Sequence, residues 1–234
     1  MYGSWVLFVL ILISSIPVIL LYIWFRFTKY QFSIVWFLSA LLTGAAAFFP
    51  ALVLQELLTF PVFTHGRTAL FYDIFVRIAF TEELSRLLLL FIFFWINNLV
   101  SKENLNPDTP DINENNIVIK GTAAGLIAGL GFSILETARF AASTLDINIV
   151  LLRIFTAALH AACGARVGAA AVMFRNSPVK ALIGIFTAVA IHGVYNFMVI
   201  RPGFLSIAAY LIAVCALTTS ILAIRRIDKN EDTP

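Results

Sequence analysis

The stretch "RIAFTEELSRLLLLFIFFW", residues 77–95, decides how the rest of the chain is read. Its second half is a continuous apolar run, yet Glu82, Glu83 and Arg86 stand inside it. In a membrane helix such groups are costly and mark a functional site or a buried pair. In a soluble helix they would be ordinary, so composition decides between the two. The 234 residues are 61% hydrophobic and 12% charged, with a mean hydropathy of +0.94. A soluble domain carries roughly 45–50% apolar and about 25% charged residues. The fold class is therefore all-α, a polytopic transmembrane helix bundle. The net charge of +3 is small, is read loop by loop, and excludes a nucleic-acid footprint.

A spanning helix needs about 20 mostly apolar residues. Seven segments qualify, near 3–25, 33–55, 74–99, 118–140, 149–173, 179–200 and 204–224. The first run is too long for a signal-peptide core and lacks a basic lead, so it is expected to be retained. The whole of 1–234 reads as one integral membrane domain with a core at 74–200. The polar stretch 101–116, "SKENLNPDTPDINENN", reads as a flexible cytoplasmic loop, and 225–234 as a cytoplasmic tail. The segment 56–73, broken by Pro61 and Gly66, reads as an interfacial or re-entrant piece. Lys and Arg are more numerous in one set of loops (Arg26, Lys29, Lys102, Lys120, Arg175, Lys180, Arg225, Arg226, Lys229) than in the other (Arg67, Arg77, Arg139, Arg153, Arg201). This bias predicts an N-terminus outside and a C-terminus in the cytoplasm.

Other spans also carry polar groups: Glu136 in the fourth, His160 and Arg166 in the fifth, His192 and Asn196 in the sixth. At roughly 1.5 Å per residue, Glu82 lies roughly 12 Å from the outer face, Glu136 roughly 6 Å, His160 roughly 16 Å and His192 roughly 12 Å. One shared site requires such agreement in depth, and unrelated polar residues do not. The polar groups also sit on or near small-residue stripes: Gly184, Ala188, His192 and Asn196; His160, Gly164 and Gly168; and Gly121, Gly125 and Gly129 leading to Glu136. Small residues four apart let membrane helices approach closely, so these faces are expected to point into the bundle. Arg86 is i+4 from Glu82 and i+3 from Glu83, within reach of either. Helical neighbours differ by about 100°, so one carboxylate is expected to be held by Arg86 while the other faces a cavity and exchanges protons with water.

Several residues have plain structural readings. Cys163 and Cys215 are packing residues without metal or redox spacing. Arg166 snorkels or pairs structurally, Asp73 and Arg77 form an i, i+4 pair, and His65 has no assigned role.

On "EELSR" (82–86), "GFSILE" (131–136), "HAACG" (160–164) and "HGVYN" (192–196), in that order on successive helices, the chain resembles the PrsW-type intramembrane proteases, relatives of the CAAX prenyl endopeptidases. The resemblance covers about 74–200 and implies a four-helix catalytic core from spans 3–6. It implies a glutamate-based peptidase that needs no metal or other cofactor, with Glu82 and Glu83 as the catalytic pair and His192 and Asn196 as oxyanion donors. Glu136 stands where the CAAX branch has a histidine, His160 heads a further motif of the PrsW branch, and Arg86 takes the place of the more usual Lys. The implied substrate is a single-span or otherwise membrane-anchored protein, with anti-sigma factors as the associated class, and the implied setting is a bacterial plasma membrane. Three other classes compete. A zinc peptidase would use Glu and His ligands, but there is no H-E-x-x-H. A scaffold subunit of a protease complex would not need both Glu82 and Glu83. A proton-coupled transporter would be expected to show inverted repeats or broken helix pairs.

Overall fold

A computed structural model describes residues 2–27, 32–59, 66–97, 114–144, 147–201 and 203–230. The helices are α1 (Tyr2–Arg26), α2 (Ile34–Leu57), α3 (Arg67–Phe71), a π-helical segment Tyr72–Phe80, α4 (Thr81–Ile96), α5 (Glu114–Thr144), α6 (Ile147–Met173), α7 (Pro178–Val199) and α8 (Phe204–Asn230). The described residues contain no strand. Because α3, the π segment and α4 are continuous, there are seven long helical rods among the described residues, close to the seven segments expected. Five of them (α2, α5, α6, α7 and α8) are long and apolar enough to cross a membrane on their own. The rod that contains the opening stretch is not one of these five. It is interrupted by the π segment and carries Glu82, Glu83 and Arg86. Loop residues 101–113, His65 and the last four residues of the expected tail lie outside the described residues. The rest of the expected tail continues α8 to Asn230.

α5 and α6 form the centre. Their apolar windows are 78% and 72% buried, against 22% for α7 and 28% for α8. Glycine is the physical reason. A Cβ on Gly125 would stand 2.0 Å from the carbonyl oxygen of Gly164, and one on Gly168 would stand 2.2 Å from that of Gly121. The two backbones therefore touch along the stripe, as small residues in membrane helices permit. A second contact of this kind joins α2 to α5, where a Cβ on Gly44 would meet the Ala128 carbonyl oxygen at 1.8 Å. The α7 stripe behaves differently. Gly184 has nothing closer than 3.5 Å, whereas a Cβ on Gly193 would collide with the ring of Phe75 from the π segment. The notch beside His192 is thus filled by an aromatic ring, not by a helix backbone.

In the π segment, hydrogen bonds run i→i+5, which shifts the register of whatever follows. Thr81 sits at its junction with α4. Its hydroxyl donates towards the carbonyls of Arg77 (2.7 Å) and Ile78 (3.0 Å), which this change of register leaves exposed to capture by a side chain. Asp73 and Arg77 form the expected ion pair within the segment. Arg166 is tied across to α8 by hydrogen bonds to Ser220 Oγ (2.9 Å) and Thr219 Oγ1 (2.9 Å). Cys163 is buried and Cys215 exposed, both as free thiols.

Candidate active site

Directly after the π segment, the first turn of α4 turns Glu82, Glu83 and Arg86 into the bundle, each 4% exposed or less. The 100° between the two carboxylates sends them to different partners. Glu83 is met by Arg86, whose Nη2 donates to Glu83 Oε1 at 2.5 Å. The same oxygen lies 2.7 Å from Nδ1 of His192 on α7. A carboxylate ion-paired with a guanidinium acts as an acceptor, so His192 holds its proton on Nδ1 and turns the lone pair of Nε2 the other way. Nε2 faces Glu82 Oε2 at 3.7 Å. Glu82 Oε1 accepts a hydrogen bond from the Gln55 amide of α2 at 3.0 Å, while Glu82 Oε2 is buried without a hydrogen-bond partner among the described residues.

A second set lies beside the first. Glu136 Oε2 on α5 pairs with Arg153 of α6 and lies 2.7 Å from His160 Nε2. Arg86 joins the two sets. Its Nη1 donates to the His160 carbonyl at 3.1 Å, and its Nη2 stands 3.3 Å from His160 Nδ1. The two imidazoles stand edge to face at 5.0 Å, and the Arg86 guanidinium lies 4.9 Å from the Phe132 ring centroid. Arginines thus reach Glu83 and Glu136, and Glu82 is the carboxylate left facing a histidine and an amide.

Glu82 and Glu136 also line a cleft of about 370 Å³ between α2, the π segment, α4 and α5. Its other walls include Leu52, Gln55, Phe132 and, at one end, the exposed Arg139. Five of the six site residues read from the sequence, Glu82, Glu83, Glu136, His160 and His192, therefore form one connected cluster with Arg86. Asn196 does not join it. It is half-buried one turn beyond His192 and does not line the cleft. Its neighbour Tyr195 is buried and bonded to Thr156 on α6 at 3.0 Å, which fixes α7 against α6.

Two residues of the cluster escaped the sequence reading. Gln55 is an amide inside the apolar run "ALVLQELL", and Arg153 lies inside "NIVLLRIF", where it was counted as an outer-loop charge. In both cases the available signal was a polar side chain within a span.

The family described as PrsW family intramembrane metalloprotease matches residues 33–221. Neither the curated proteins nor the solved structures gave a match. The family description names a metal, and the donors present can be tested for it. Donor atoms of Glu82, His160 and His192 lie within 4.8 Å of one another, and two histidines with a carboxylate make a recognised catalytic zinc set. Their disposition does not fit one. His160 Nε2 is engaged by Glu136, and His160 Nδ1 by a guanidinium nitrogen that can only donate. Nε2–H is given to Glu136 and the ring's one lone pair, on Nδ1, is turned to the guanidinium, so neither nitrogen is free for a cation. Glu82 and His192 would be left as two ligands beside a buried positive charge, where a catalytic zinc takes three.

Proposed function

Since this chain belongs to the PrsW family of intramembrane proteases, we propose that it is an endopeptidase in which Glu82, positioned against His192, activates water for hydrolysis of a membrane-anchored substrate. The observation that carries this reading is the facing pair Glu82 Oε2 and His192 Nε2, 3.7 Å apart, with Glu82 lining the cleft and His192 buried beside it. A water oxygen about 2.8 Å from each atom closes a triangle on that base. Both atoms are acceptors, so both water hydrogens are taken and the oxygen lone pairs are left for the carbonyl carbon.

Glu82 removes the proton as the water attacks, and it returns that proton to the departing amine. Glu83 does not touch the water. It holds His192 in the Nδ1–H form, as an orienting carboxylate does in a catalytic triad, and Arg86 keeps it charged. The Gln55 amide, which donates to Glu82 Oε1 and lines the cleft, is the donor assigned to the oxyanion. Glu136, paired with Arg153, holds His160, which in turn meets Arg86. No step passes through a metal.

The substrate is a single-span or otherwise membrane-anchored protein, with an anti-sigma factor as the class suggested by family resemblance. Its scissile segment unwinds into the cleft on the outer side of a bacterial plasma membrane, with the N-terminus of the enzyme outside. The kinship to the CAAX endopeptidases rests on the same four motifs. The test is turnover of a single-span reporter by purified protein in liposomes. Glu82→Gln and His192→Gln should each lower kcat by about a hundredfold or more while the helical spectrum and elution profile stay those of the wild type. Unchanged turnover in both variants overturns the mechanism.

A further inference from the structure

Apart from the cleft, the bundle has a second cavity, an open groove of about 400 Å³ lined by α1, α5, α6 and α8. That is within the range of small-molecule sites, roughly 300–1,000 Å³. Its walls are apolar: Leu20 and Leu21 from α1, Leu130 from α5, Ala158 from α6 and Leu217 from α8, with Arg225 as the one charged residue. None of these groups takes part in the candidate active site.

The charge has a definite place. Arg225 lies in the last two turns of α8, and its guanidinium stands 5.9 Å from the ring centroid of Trp24, which is two residues before the end of α1. Arg26 closes the same helix and is exposed. Trp beside Arg at matching helix ends is the usual composition of the membrane–water interface. From this end the cavity runs inward along α8 from Arg225 to Leu217, roughly 12 Å at 1.5 Å per residue, and is lined on α6 by the small side chain of Ala158 near the middle of that helix. Its long axis thus lies along the membrane normal, with the cation at the interface and the apolar end in the middle of the bilayer. A lipid of that leaflet has the same polarity, with its headgroup at the surface and its chain directed inward.

We infer that this cavity is a binding site for one anionic phospholipid, with an acyl chain between α1, α5, α6 and α8 and the headgroup phosphate at Arg225. The occupant follows from the two ends together. An uncharged apolar ligand would not use the guanidinium, and a soluble anion would not use the 12 Å of apolar wall behind it. The bound chain fills the space that α1 leaves between α5, α6 and α8, and so joins the first helix to the core of the bundle.

Native mass spectrometry of the purified full chain, with phosphatidylglycerol or phosphatidylcholine added at equal concentration, tests this. The wild type should retain one phosphatidylglycerol in preference to phosphatidylcholine. Arg225→Gln should lower that preference by about fivefold, the worth of one basic residue facing an anionic headgroup. Ala158→Phe should remove the bound lipid of either kind by filling the groove from its α6 wall. Arg225 is exposed, so its variant keeps the test decisive should Ala158→Phe fail to fold. Equal retention of the two lipids by the wild type, an unchanged preference in Arg225→Gln, or wild-type occupancy in a folded Ala158→Phe overturns the inference.

Discussion

Glu83 Oε1 lies 2.7 Å from His192 Nδ1, and the same oxygen receives the guanidinium of Arg86 at 2.5 Å. One atom therefore both orients the histidine and neutralises a fully buried cation. The carboxylate of Glu82, its neighbour in sequence, pairs with no arginine among the described residues; Arg86 Nε reaches only the Glu82 backbone carbonyl. Substitution of the two glutamates should accordingly fail in different ways. Glu83→Gln leaves Arg86 buried without its counter-charge, a change that costs about 3–5 kcal/mol, so both the thermal midpoint and turnover should fall. Glu82→Gln preserves the Gln55 contact and strands no cation, so turnover should fall with little change in melting. Paired melting curves and reporter cleavage for the two variants check this, and equal melting points would contradict the assignment.

Arg86 is the joint between the two sets of side chains. It touches Glu83, the His160 carbonyl and His160 Nδ1. An ammonium on a flexible stem cannot reproduce that fork. Arg86→Lys should keep the fold but slow turnover, whereas Arg86→Met, which removes the cation and leaves Glu83 unpaired, should destabilise by about 3–5 kcal/mol. Denaturation in detergent alongside cleavage assays separates the two outcomes.

The glycines of α5 and α7 make a paired prediction. A Cβ on Gly125 would meet the Gly164 carbonyl oxygen at 2.0 Å, while one on Gly184 would find nothing within 3.4 Å. Gly125→Ala should push α5 and α6 apart and cost about 1–3 kcal/mol or more. Gly184→Ala should be neutral, or stabilising by up to about 1 kcal/mol through helix propensity. Thermal melts of the two variants decide it.

Gly125 and Gly184 also mark how far the sequence could be read. Both lie on i, i+4 stripes of small residues and looked equivalent, because spacing identifies a face but not its neighbour. α5 packs its stripe against another glycine stripe, and α7 turns Gly193, one residue past His192, to an aromatic ring. The ionisable cluster was legible because Glu82, Glu83, Arg86, Glu136, His160 and His192 each stand out against an apolar background and agree in depth. Which glutamate meets Arg86 was not legible, since i+3 and i+4 are equally within reach. Gln55 went unnoticed because a neutral amide barely disturbs hydropathy. Arg153 reads as an outer charge because hydropathy starts its span only four residues earlier, at 149, whereas the helix starts at Ile147.

A chelator separates the two chemistries open to the cluster. With both ring nitrogens of His160 occupied by Glu136 and Arg86, the mechanism needs no ion. Protein treated with a strong chelator and dialysed should retain its turnover, and metal analysis should find less than one equivalent of zinc. Loss of activity on chelation, restored by added zinc, would falsify the metal-free mechanism and would require Arg86 to release His160.

Gln55 and Asn196 divide the question of the oxyanion. Family resemblance assigns that role to His192 and Asn196, but the Asn196 side chain lies one turn past His192 and is not part of the cleft lining. Neutral His192 with its hydrogen on Nδ1, towards Glu83, has none on Nε2 to donate. Gln55 lines the cleft, and only one of its two amide hydrogens is needed by Glu82 Oε1. Loss of an oxyanion donor lowers kcat by about a hundred- to a thousandfold and leaves KM nearly unchanged. Gln55→Leu should show that split, and Asn196→Ala should remain within about threefold of the wild type, since a side chain remote from the reacting atoms supplies no transition-state binding. Steady-state kinetics on the same single-span reporter give both numbers. The reverse ranking would place the oxyanion on the α7 side of His192 and require the substrate to enter between α7 and the π segment.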